Sequence, residues 1–402
     1  MITIKSLMPL LSTKRLETLA LKHQVDAKNQ IRLPGTAVFV CLLNGLLNQE
    51  ELTLRLLEET FTKMTGQHAD HSSFGKRLKS LPSGYFAEIY EHLYEQLAPQ
   101  MTPAESRALR LRWVDATLVT LSSKLLDFGL SSGTRKARGS HKTVKSVLEV
   151  QQDGLPHFLH LCTKQAETAD SVALGATMQA HAQENDLFIF DKGGEARPRL
   201  LALHQSRAFF LTPHGRQGLR IHAQVLGAPE APLPVAAPAP GEAPFVVLGV
   251  QLGAFAPAAW AKEPAAWEQM PLVLVHGARF DSRTKKWTPL TLMTNLAYDP
   301  VTKQVSGFSF EELMEMYRRR WDIEILFKFL KQYLNYSHLT SRCQNGIEVM
   351  IYMSLIAALL LIWFQRQTGI DRGWRSVKFW LAEQTRQWTK QALQRALRPL
   401  RC

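Results

Sequence analysis

The sequence predicts an α/β protein with a helical amino-terminal region, a mixed sheet flanked by helices and interrupted by a β-rich insertion, and further helices at the carboxyl terminus. Three patterns support this prediction. Apolar residues recur at three- and four-residue spacing from about residue 35 to 97, as in an amphipathic helix. Apolar and polar residues alternate between Leu109 and Leu121, as in a strand. Helical spacing returns at about Phe310 and continues nearly to the end.

The middle of the chain contains several strand-like stretches separated by turn residues. Asp153-Gly154 is typical of a hairpin turn between antiparallel strands. A helix is predicted over about residues 169–183, and the all-apolar run that follows it is typical of a strand buried on both faces. Strands are predicted at residues 143–150, 157–162, 187–190 and 208–211.

A change in composition marks the β-rich insertion. Between residues 228 and 244, six of the seventeen residues are Pro and six are Ala, which indicates a linker or an exposed loop. Strands are predicted on both sides of it, at residues 221–226, 245–252 and 272–276. Residues 213–305 therefore form the predicted insertion.

The charge balance favours a polyanionic partner. Lys and Arg number 48 against 35 for Asp and Glu, which gives a net charge of +13 over 402 residues. This exceeds the magnitude of roughly 2–8 that solubility alone requires. A nucleic acid or another anionic surface is therefore a candidate partner, and simple solubility is the alternative.

The cysteines and the apolar segments limit the other classes of protein. The four cysteines are far apart and contain no C-x-x-C pair, so neither a structural zinc site nor a disulfide framework is indicated, and a reduced, cytosolic setting is expected. The amino terminus lacks a signal-peptide cleavage site. Residues 349–364 carry no charge over 16 residues, fewer than the roughly 20 that cross a bilayer, so we expect a helix buried in a core.

Two aspartates stand where a sheet commonly presents ligands. Asp115 keeps the parity of Leu111 and Trp113, so it projects from the face predicted to be buried. A buried carboxylate needs a partner, a metal or a proton. Asp191 follows directly after a predicted strand, and open α/β sheets place ligands at the carboxyl ends of their strands. A salt-bridged Asp115 and a turn-capping Asp191 are the alternatives.

The segment from Met316 to Lys331 has the most informative spacing. Tyr317, Arg320, Glu324 and Lys331 stand at offsets of 0, 3, 7 and 14, which places them within an arc of about 60° on one helix. We expect this polar stripe to face a cleft, with Glu324 binding a metal and the cations binding phosphate. A surface helix with an Arg–Glu pair is the alternative. The apolar residues predicted to pack into the core are Trp321, Ile325, Leu326, Phe327, Phe329 and Leu330.

The same four residues carry a family resemblance. Their pattern, Y-x2-R-x3-E-x6-K, resembles the YREK signature of bacterial insertion-sequence DDE transposases. The stretch Val114-Asp115-Ala116-Thr117 is similar to the first aspartate region of that family, and Phe190-Asp191-Lys192-Gly193 is similar to the second. An aromatic residue often follows that glycine in the family, whereas Gly194 follows it here.

The resemblance implies an RNase H-like catalytic core with an insertion between the second aspartate and the glutamate. In that fold the first and fourth strands are neighbours, which would bring Asp115 and Asp191 together with the Glu324 helix packed against them. The expected segments are a helical, DNA-binding region (1–103), the two parts of the core (104–212 and 306–366), the insertion (213–305) and a basic helical region (367–402).

The resemblance also implies an activity and its partners. Asp115, Asp191 and Glu324 would be the catalytic residues and would bind two Mg²⁺ ions, for which Mn²⁺ could substitute. The expected reactions are hydrolysis at element ends and transfer of the 3′-hydroxyl into target DNA. Tyr317, Arg320 and Lys331 would hold DNA phosphates, and Lys192 would add a cation. Double-stranded DNA and a second copy of the chain are the expected partners, in a bacterial cytoplasm at the nucleoid.

Three other functions stay open at this point. The chain could be a catalytically silent regulator derived from a transposase, a structure-specific nuclease on the same fold, or an amphipathic protein of the membrane surface. The last leaves the spacing of the polar stripe unexplained. Occupancy of all three acidic positions argues against the first.

Several basic or aromatic segments are candidates for DNA contact. A helix bearing Lys76, Arg77 and Lys79, capped by Ser72 or Ser73, would lie on phosphates or simply face water. The same alternatives apply to the loop 124–145 and to the tail, which interleaves basic residues with tryptophans. Trp287 could hold a flipped base, whereas His157 and His160 fall on opposite faces of a strand and are not expected to bind metal. The basic loop residues and tail tryptophans are Arg135, Lys136, Arg138, Trp374, Trp380 and Trp388.

Overall fold

The computed structural model has a large mixed sheet enclosed by helices, as the sequence predicts. Residues 11–26, 33–101, 109–121, 129–131, 142–215, 218–257, 266–337, 339, 341, 343–370 and 373–397 are described. The basic-loop residues Arg135, Lys136 and Arg138 lie outside the described residues.

Among the described residues, five α-helices precede the sheet. Thr53 caps the third of them by accepting a hydrogen bond from the Leu56 backbone N–H. Asp70, rather than Ser72 or Ser73 as predicted, caps the fourth, because its carboxylate accepts from the Ser72 N–H at 2.7 Å. The helices are α1 (Thr13–Lys22), α2 (Gly35–Asn48), α3 (Leu54–Thr65), α4 (His71–Ser80) and α5 (Ser83–Met101).

The central part of the sheet has the strand arrangement that was expected. The strand order is β4, β3, β1, β5, β6, and the two-residue strand β2 also pairs with β3. Strand β3 runs antiparallel to β1, whereas β5 and β6 run parallel to β1. The predicted neighbours, β1 and the strand before Asp191, are side by side. The elements are β1 (Arg110–Thr120), β2 (Leu130–Ser131), β3 (Lys142–Val150), β4 (Pro156–Cys162), α6 (Asp170–His181), β5 (Asp186–Ile189), α7 (Arg197–Gln205) and β6 (Phe209–Pro213).

Both faces of β1 are covered. Leu111 and Trp113 pack on one face, and Val114 packs on the other with residues of α6. Arg112, which alternates with Leu111 and Trp113, lies on the face of Val114 and α6, where it is 7% exposed and bonds to Glu149 and Asp186. A cation can be buried there because α6 covers that side of the sheet and the two buried carboxylates neutralise the guanidinium.

The strands of residues 219–294 extend the same sheet. β10 pairs antiparallel with β6 through Leu292↔Pro213, Met293↔Thr212 and Thr294↔Leu211, and β9, β8 and β7 follow in order. Ranges of these elements are β7 (Leu219–Gly227), β8 (Phe245–Phe255), β9 (Leu272–Asp281), β10 (Lys286–Thr294), β11 (Tyr298–Asp299) and β12 (Gln304–Val305). Residues 228–244 form no helix or strand.

Four helices complete the described chain: α8 (Phe310–Arg318), α9 (Trp321–Tyr333), α10 (Gln344–Thr368) and α11 (Trp374–Ala396). α10 is long and apolar enough to cross a membrane, but 89% of its most apolar window is buried in the protein. It packs with the amino-terminal helices and α11 in one hydrophobic core, as expected for a core helix. In α11, Trp388 is buried and donates to the Leu11 carbonyl, whereas Trp380 is half exposed.

The polar stripe does not lie on one continuous helix. The helix is interrupted at Arg319 and Arg320, which separate α8 from α9. In a continuous helix the Met316 carbonyl would accept from the Arg320 N–H. Here it accepts from the Trp113 indole at 2.7 Å, and the Arg320 N–H bonds to the Tyr317 carbonyl instead. A side chain from β1 therefore takes the hydrogen bond that would continue the helix.

The break also changes which residues of α9 are covered. Trp321 and Ile325, predicted in the core, are 45% and 60% exposed. The Arg279 guanidinium lies 5.5 Å from the centre of the Trp321 ring. The other predicted core positions of this helix are buried, namely Leu326, Phe327, Phe329 and Leu330.

Candidate active site

Asp115 and Asp191 occupy matching positions on neighbouring parallel strands. The last backbone pair between β1 and β5 is Trp113↔Ile189, and each aspartate is two residues beyond it. Adjacent strands lie about 4.8 Å apart, and residues two apart share a face, so the two carboxylates stand at the same level of the sheet. The parallel pairing thus sets their approach.

Asp115 is a mostly buried acid. Its side chain is 21% exposed, and Oδ1 accepts from the Ala116 N–H at 2.7 Å. Burial raises the pKa of Asp115 to about 6; the Ala116 N–H and Arg320 oppose this rise, and the charges of Glu324 and Asp191 add to it. Its negative charge is therefore costly in the folded protein.

Asp191 begins a short turn at the end of β5. Oδ1 accepts from the Lys192 N–H at 2.8 Å, and the Tyr317 hydroxyl donates to the same oxygen at 3.5 Å. Tyr317 itself is 6% exposed, and burial raises its pKa. This contact brings the first residue of the predicted stripe to the second aspartate.

Glu324 lies in the first turn of α9, which packs against β1. The Arg320 guanidinium joins it to the first aspartate: Nη2 is 2.7 Å from Glu324 Oε1, and Nη1 is 3.4 Å from Asp115 Oδ2. Arg320 thus pairs with two of the three acids, while Asp191 contacts the Tyr317 hydroxyl, whose ring lies beside the same guanidinium. Such a bridge offsets part of the repulsion between the carboxylates.

Arg320 is held in a confined position. Its side chain is 8% exposed, its guanidinium carbon lies 5.7 Å from the centre of the Tyr317 ring, and its Nε is buried with no hydrogen-bond partner. It was predicted as a phosphate-binding cation on a stripe that faces a cleft, whereas here it pairs with two of the carboxylates. The unpartnered N–H is a donor that a bound oxygen could satisfy.

The other two predicted cations lie at the periphery. Lys331 is seven residues beyond Glu324, about 10 Å along the helix axis. It lines a separate cavity with Gln49, Glu50 and Lys378, and burial lowers its pKa. Lys192 is exposed beside Asp191. The structure thus groups Tyr317 and Arg320 with the acids, but places Lys331 apart from them.

Two contacts that the sequence did not indicate join the segment between α8 and α9 to β1. One is the bond from the Trp113 indole to Met316, and the other places the Arg319 guanidinium 4.6 Å from the centre of the Trp113 ring. The sequence signal for Trp113 was only its strand parity with Asp115. Its effect on the site requires the tertiary contact.

The donor set fits a hard divalent cation. Three carboxylates supply the oxygen ligands that Mg²⁺ prefers, and the raised pKa of Asp115 reflects a charge that a cation would relieve. The three are nevertheless more widely spaced than two other groups in the described part of the chain, in each of which the candidate ligand atoms lie within 4.8 Å of one another. One group is Glu58, Asp70 and His71, and the other is His160, Cys162 and Glu167. The Arg320 guanidinium supplies part of the positive charge that a metal ion would bring to the carboxylates.

Removing that counter-charge gives a direct test of the electrostatics. Arg320→Met is expected to raise the pKa of Asp115 above its value of about 6, by roughly one unit, because an adjacent guanidinium favours the ionised carboxylate. Carbon-detected NMR titration of labelled aspartate would measure it. Lys328→Met, which removes an exposed cation from the same helix, is the matched control. An unchanged titration in Arg320→Met would contradict the bridging role.

The comparison with protein families assigns the chain. The profile of the transposase DDE domain matches residues 106–360, which is more than half of the chain and includes all three acids. The chain belongs to the DDE transposase family. The predicted resemblance to insertion-sequence transposases is thereby confirmed, while the YREK signature itself stays a prediction.

Individual relatives support the assignment. A protein described as a transposase for insertion sequence element IS4SA of Synechocystis sp. is 41% identical over 70 residues, 17% of this chain and 20% of its own. The transposase y4zB of Sinorhizobium fredii is 27% identical over 281 residues, 70% and 67% of the two chains. The first match spans only a fifth of that relative.

One solved structure also aligns with the chain. The cryo-electron microscopy structure of the piggyBac transposase synaptic complex with hairpin DNA aligns with 100% of this chain and 83% of its own, at 8% identity and a TM-score of 0.44.

Proposed function

We propose that the chain catalyses cut-and-paste transposition of a bacterial insertion sequence. Asp115, Asp191 and Glu324 would be its catalytic, metal-binding residues. The observation that supports this most is the pairing of Asp115 and Glu324 through Arg320, with Asp191 at the matching level of the neighbouring parallel strand. In a family defined by a catalytic transposase domain, such a group of acids suits phosphoryl transfer.

The chemistry consists of two displacements at phosphorus. In the first, a water oxygen bonds to the phosphorus at the element end, the bond to O3′ breaks, and the released 3′-oxygen takes a proton. In the second, that 3′-hydroxyl loses its proton as its oxygen bonds to a target phosphorus, the bond to the target O3′ breaks, and the released O3′ takes up a proton. Bound Mg²⁺, for which Mn²⁺ could substitute, would lower the pKa of the attacking hydroxyl and stabilise the leaving oxygen.

The side chains around the acids have separate parts in this proposal. The three carboxylates hold the cations, and Arg320 keeps two of the carboxylates together before the cations bind. Its free Nε–H and the Tyr317 hydroxyl would then bind oxygens of the terminal phosphate. Lys192, exposed at the end of β5, and Lys331, farther along α9, would bind neighbouring phosphates of the duplex and add salt-dependent affinity.

The partners follow from the same reaction. Double-stranded DNA is the substrate at both the element ends and the target, and the net charge of +13 suits it. Two ends must be processed together, so two copies of the chain would act as a homodimer, each with its own set of acids. The setting would be the bacterial cytoplasm at the nucleoid.

The experiment uses the full chain with the DNA ends of its own element. With Mg²⁺, the parent is expected to cleave the ends and join them to target DNA. Asp191→Asn and Glu324→Gln are expected to lower the cleavage rate about a thousandfold or more. A metal ion lowers the activation free energy by several kcal/mol, and each 1.36 kcal/mol changes the rate tenfold. Gel-shift binding to the same DNA should persist.

Asp322→Asn is the matched control, since Asp322 is an exposed acid two residues from Glu324 that pairs with Arg319 at 3.6 Å. It should cleave at the parental rate. Equal cleavage by all variants would refute the site. Binding by the parent without any cleavage would favour the regulator, and cleavage without joining or end preference would favour the nuclease.

A further inference from the structure

A second group of metal-ligating side chains lies in the amino-terminal helices, away from the proposed catalytic acids. Glu58 is on α3, and His68, Asp70 and His71 are in the turn and first residue leading into α4. The candidate ligand atoms of Glu58, Asp70 and His71 lie within 4.8 Å of one another. His68 Nε2 approaches the same group, 3.8 Å from Glu58 Oε1.

Two of the ligand–ligand distances match a tetrahedral site. Zinc binds imidazole nitrogen and carboxylate oxygen at about 2.0–2.2 Å, which places neighbouring ligand atoms of a tetrahedron about 3.3–3.6 Å apart. His71 Nδ1 is 3.3 Å from Glu58 Oε2 and 3.4 Å from Asp70 Oδ2. These two spacings suit an ion between the three side chains, and the exposed His68, 3.8 Å from Glu58 Oε1, would complete the set by a rotation of its side chain.

The carboxylates are already oriented by the backbone. Glu58 Oε2 accepts from the His71 N–H at 3.0 Å, and Asp70 Oδ1 accepts from the Ser72 N–H at 2.7 Å, which leaves Asp70 Oδ2 turned toward His71. Partners of this kind fix the direction of a ligand and raise metal affinity. The turn itself is held by Gly66, whose φ of 71° ends α3, and by buried Ala69.

The group is accessible from solvent. The side chains of His68, Asp70, His71 and Glu58 are 70%, 49%, 45% and 22% exposed. An ion therefore has an entry path. Two nitrogens and two carboxylates form a ligand set typical of zinc rather than of Mg²⁺, which prefers oxygen alone.

We infer that Glu58, His68, Asp70 and His71 bind a structural Zn²⁺ ion that clamps α3 to α4. The ion would add a polar cross-link to the hydrophobic contact between these helices, where the Phe61 and Phe74 rings meet edge to face at 6.0 Å. α4 also carries the exposed Lys76 and Lys79. The clamp would thereby fix the direction of two cations relative to the rest of the protein.

The test measures Zn²⁺ binding by the full chain in competition with a chromophoric chelator, and thermal unfolding with and without Zn²⁺. The parent is expected to bind one more tight equivalent of Zn²⁺ than either His68→Ala or His71→Ala. The loss should exceed the roughly 10–100-fold that removing an outer partner of a metal ligand costs. Stabilisation of the parent by Zn²⁺ should disappear in both variants.

Two control variants separate this site from the other candidate ligands. Cys162→Ser alters the second close group, and Glu324→Gln alters the catalytic acids; both should retain the tight equivalent. His68 is 70% exposed, so its variant should fold whether or not His71→Ala does. Equal Zn²⁺ binding by the parent and His68→Ala, or no tight binding by the parent, would overturn the inference. DNA cleavage with Mg²⁺ is scored separately, so either proposal can fail alone.

Discussion

Asp115→Asn is expected to abolish DNA cleavage and, at the same time, to make the folded protein more stable at neutral pH. Cleavage should fall about a thousandfold or more, because an amide is a poor substitute for an anionic ligand of Mg²⁺ and loss of metal stabilisation costs several kcal/mol. The gain in stability has a separate cause, the buried charge of the parent carboxylate.

The sign of that effect follows from the pKa. Burial raises the pKa of Asp115 from 3.8 to about 6, so the folded state holds a proton more tightly than the unfolded state. Stability of the parent therefore falls as pH rises from about 4 to about 6, and the loss persists above that range. Asparagine has no such charge, and the variant should be more stable by about 1–3 kcal/mol at pH 7.

The measurement is urea denaturation of both proteins, without added metal, between pH 4 and pH 8. The difference in unfolding free energy should be near zero at the acidic end and should grow through the window set by the pKa of about 6. Asp322→Asn, which alters an exposed acid in the same helix turn as Glu324, should show neither effect. A variant that is less stable than the parent at pH 7 would contradict this account.

The largest loss of stability is expected at Arg112. This residue is 7% exposed, and its guanidinium bonds to Glu149 at 2.6 Å and to Asp186 at 2.7 Å. Both acids are almost completely buried, at 0% and 1%. Arg112→Met keeps the apolar stem but removes the buried cation that the two carboxylates share, leaving Asp186 with the half-exposed Arg110 and Glu149 with His157 at 3.4 Å. Breaking a buried pair in this way costs about 3–5 kcal/mol.

Arg110→Met is the matched control, because Arg110 bonds to the same Asp186 at 2.8 Å from a side chain that is 51% exposed. Exposed pairs contribute about 0–1 kcal/mol, so this variant should lose little. Both would be measured by urea denaturation at pH 7. Similar losses of unfolding free energy in the two variants would show that burial does not determine how much the ion pairs of Arg112 stabilise the protein.

The sequence predicted much of this protein because its local patterns and its tertiary structure agree. Alternation along β1 predicted the facing of Asp115, and the apolar run before Asp191 predicted a buried strand. Together with the order of the segments, these patterns predicted the mixed sheet. The motif around Glu324 added the family, which no periodicity could have identified.

What the sequence could not show depends on partners distant along the chain. Arg112 looks like a surface residue because its partners, Glu149 and Asp186, are 37 and 74 residues away. The break before Arg320 has neither Pro nor Gly to signal it, since it arises when the Trp113 indole takes the Met316 carbonyl. No sequence pattern indicates the group around His68, because its fourth member, Glu58, lies on another helix.

The pairing of β10 with β6 sets a constraint on how DNA could be gripped. β6 pairs with β5, which leads to Asp191, so unbroken backbone pairing runs from the acids to β7. From β1 to β7 there are six strand steps, about 29 Å at a spacing of about 4.8 Å. A duplex that contacts both ends of that span therefore meets two surfaces at a fixed separation, with no hinge between them. Any mismatch would have to be absorbed by bending the helix axis of the DNA, at a cost that depends on its base sequence.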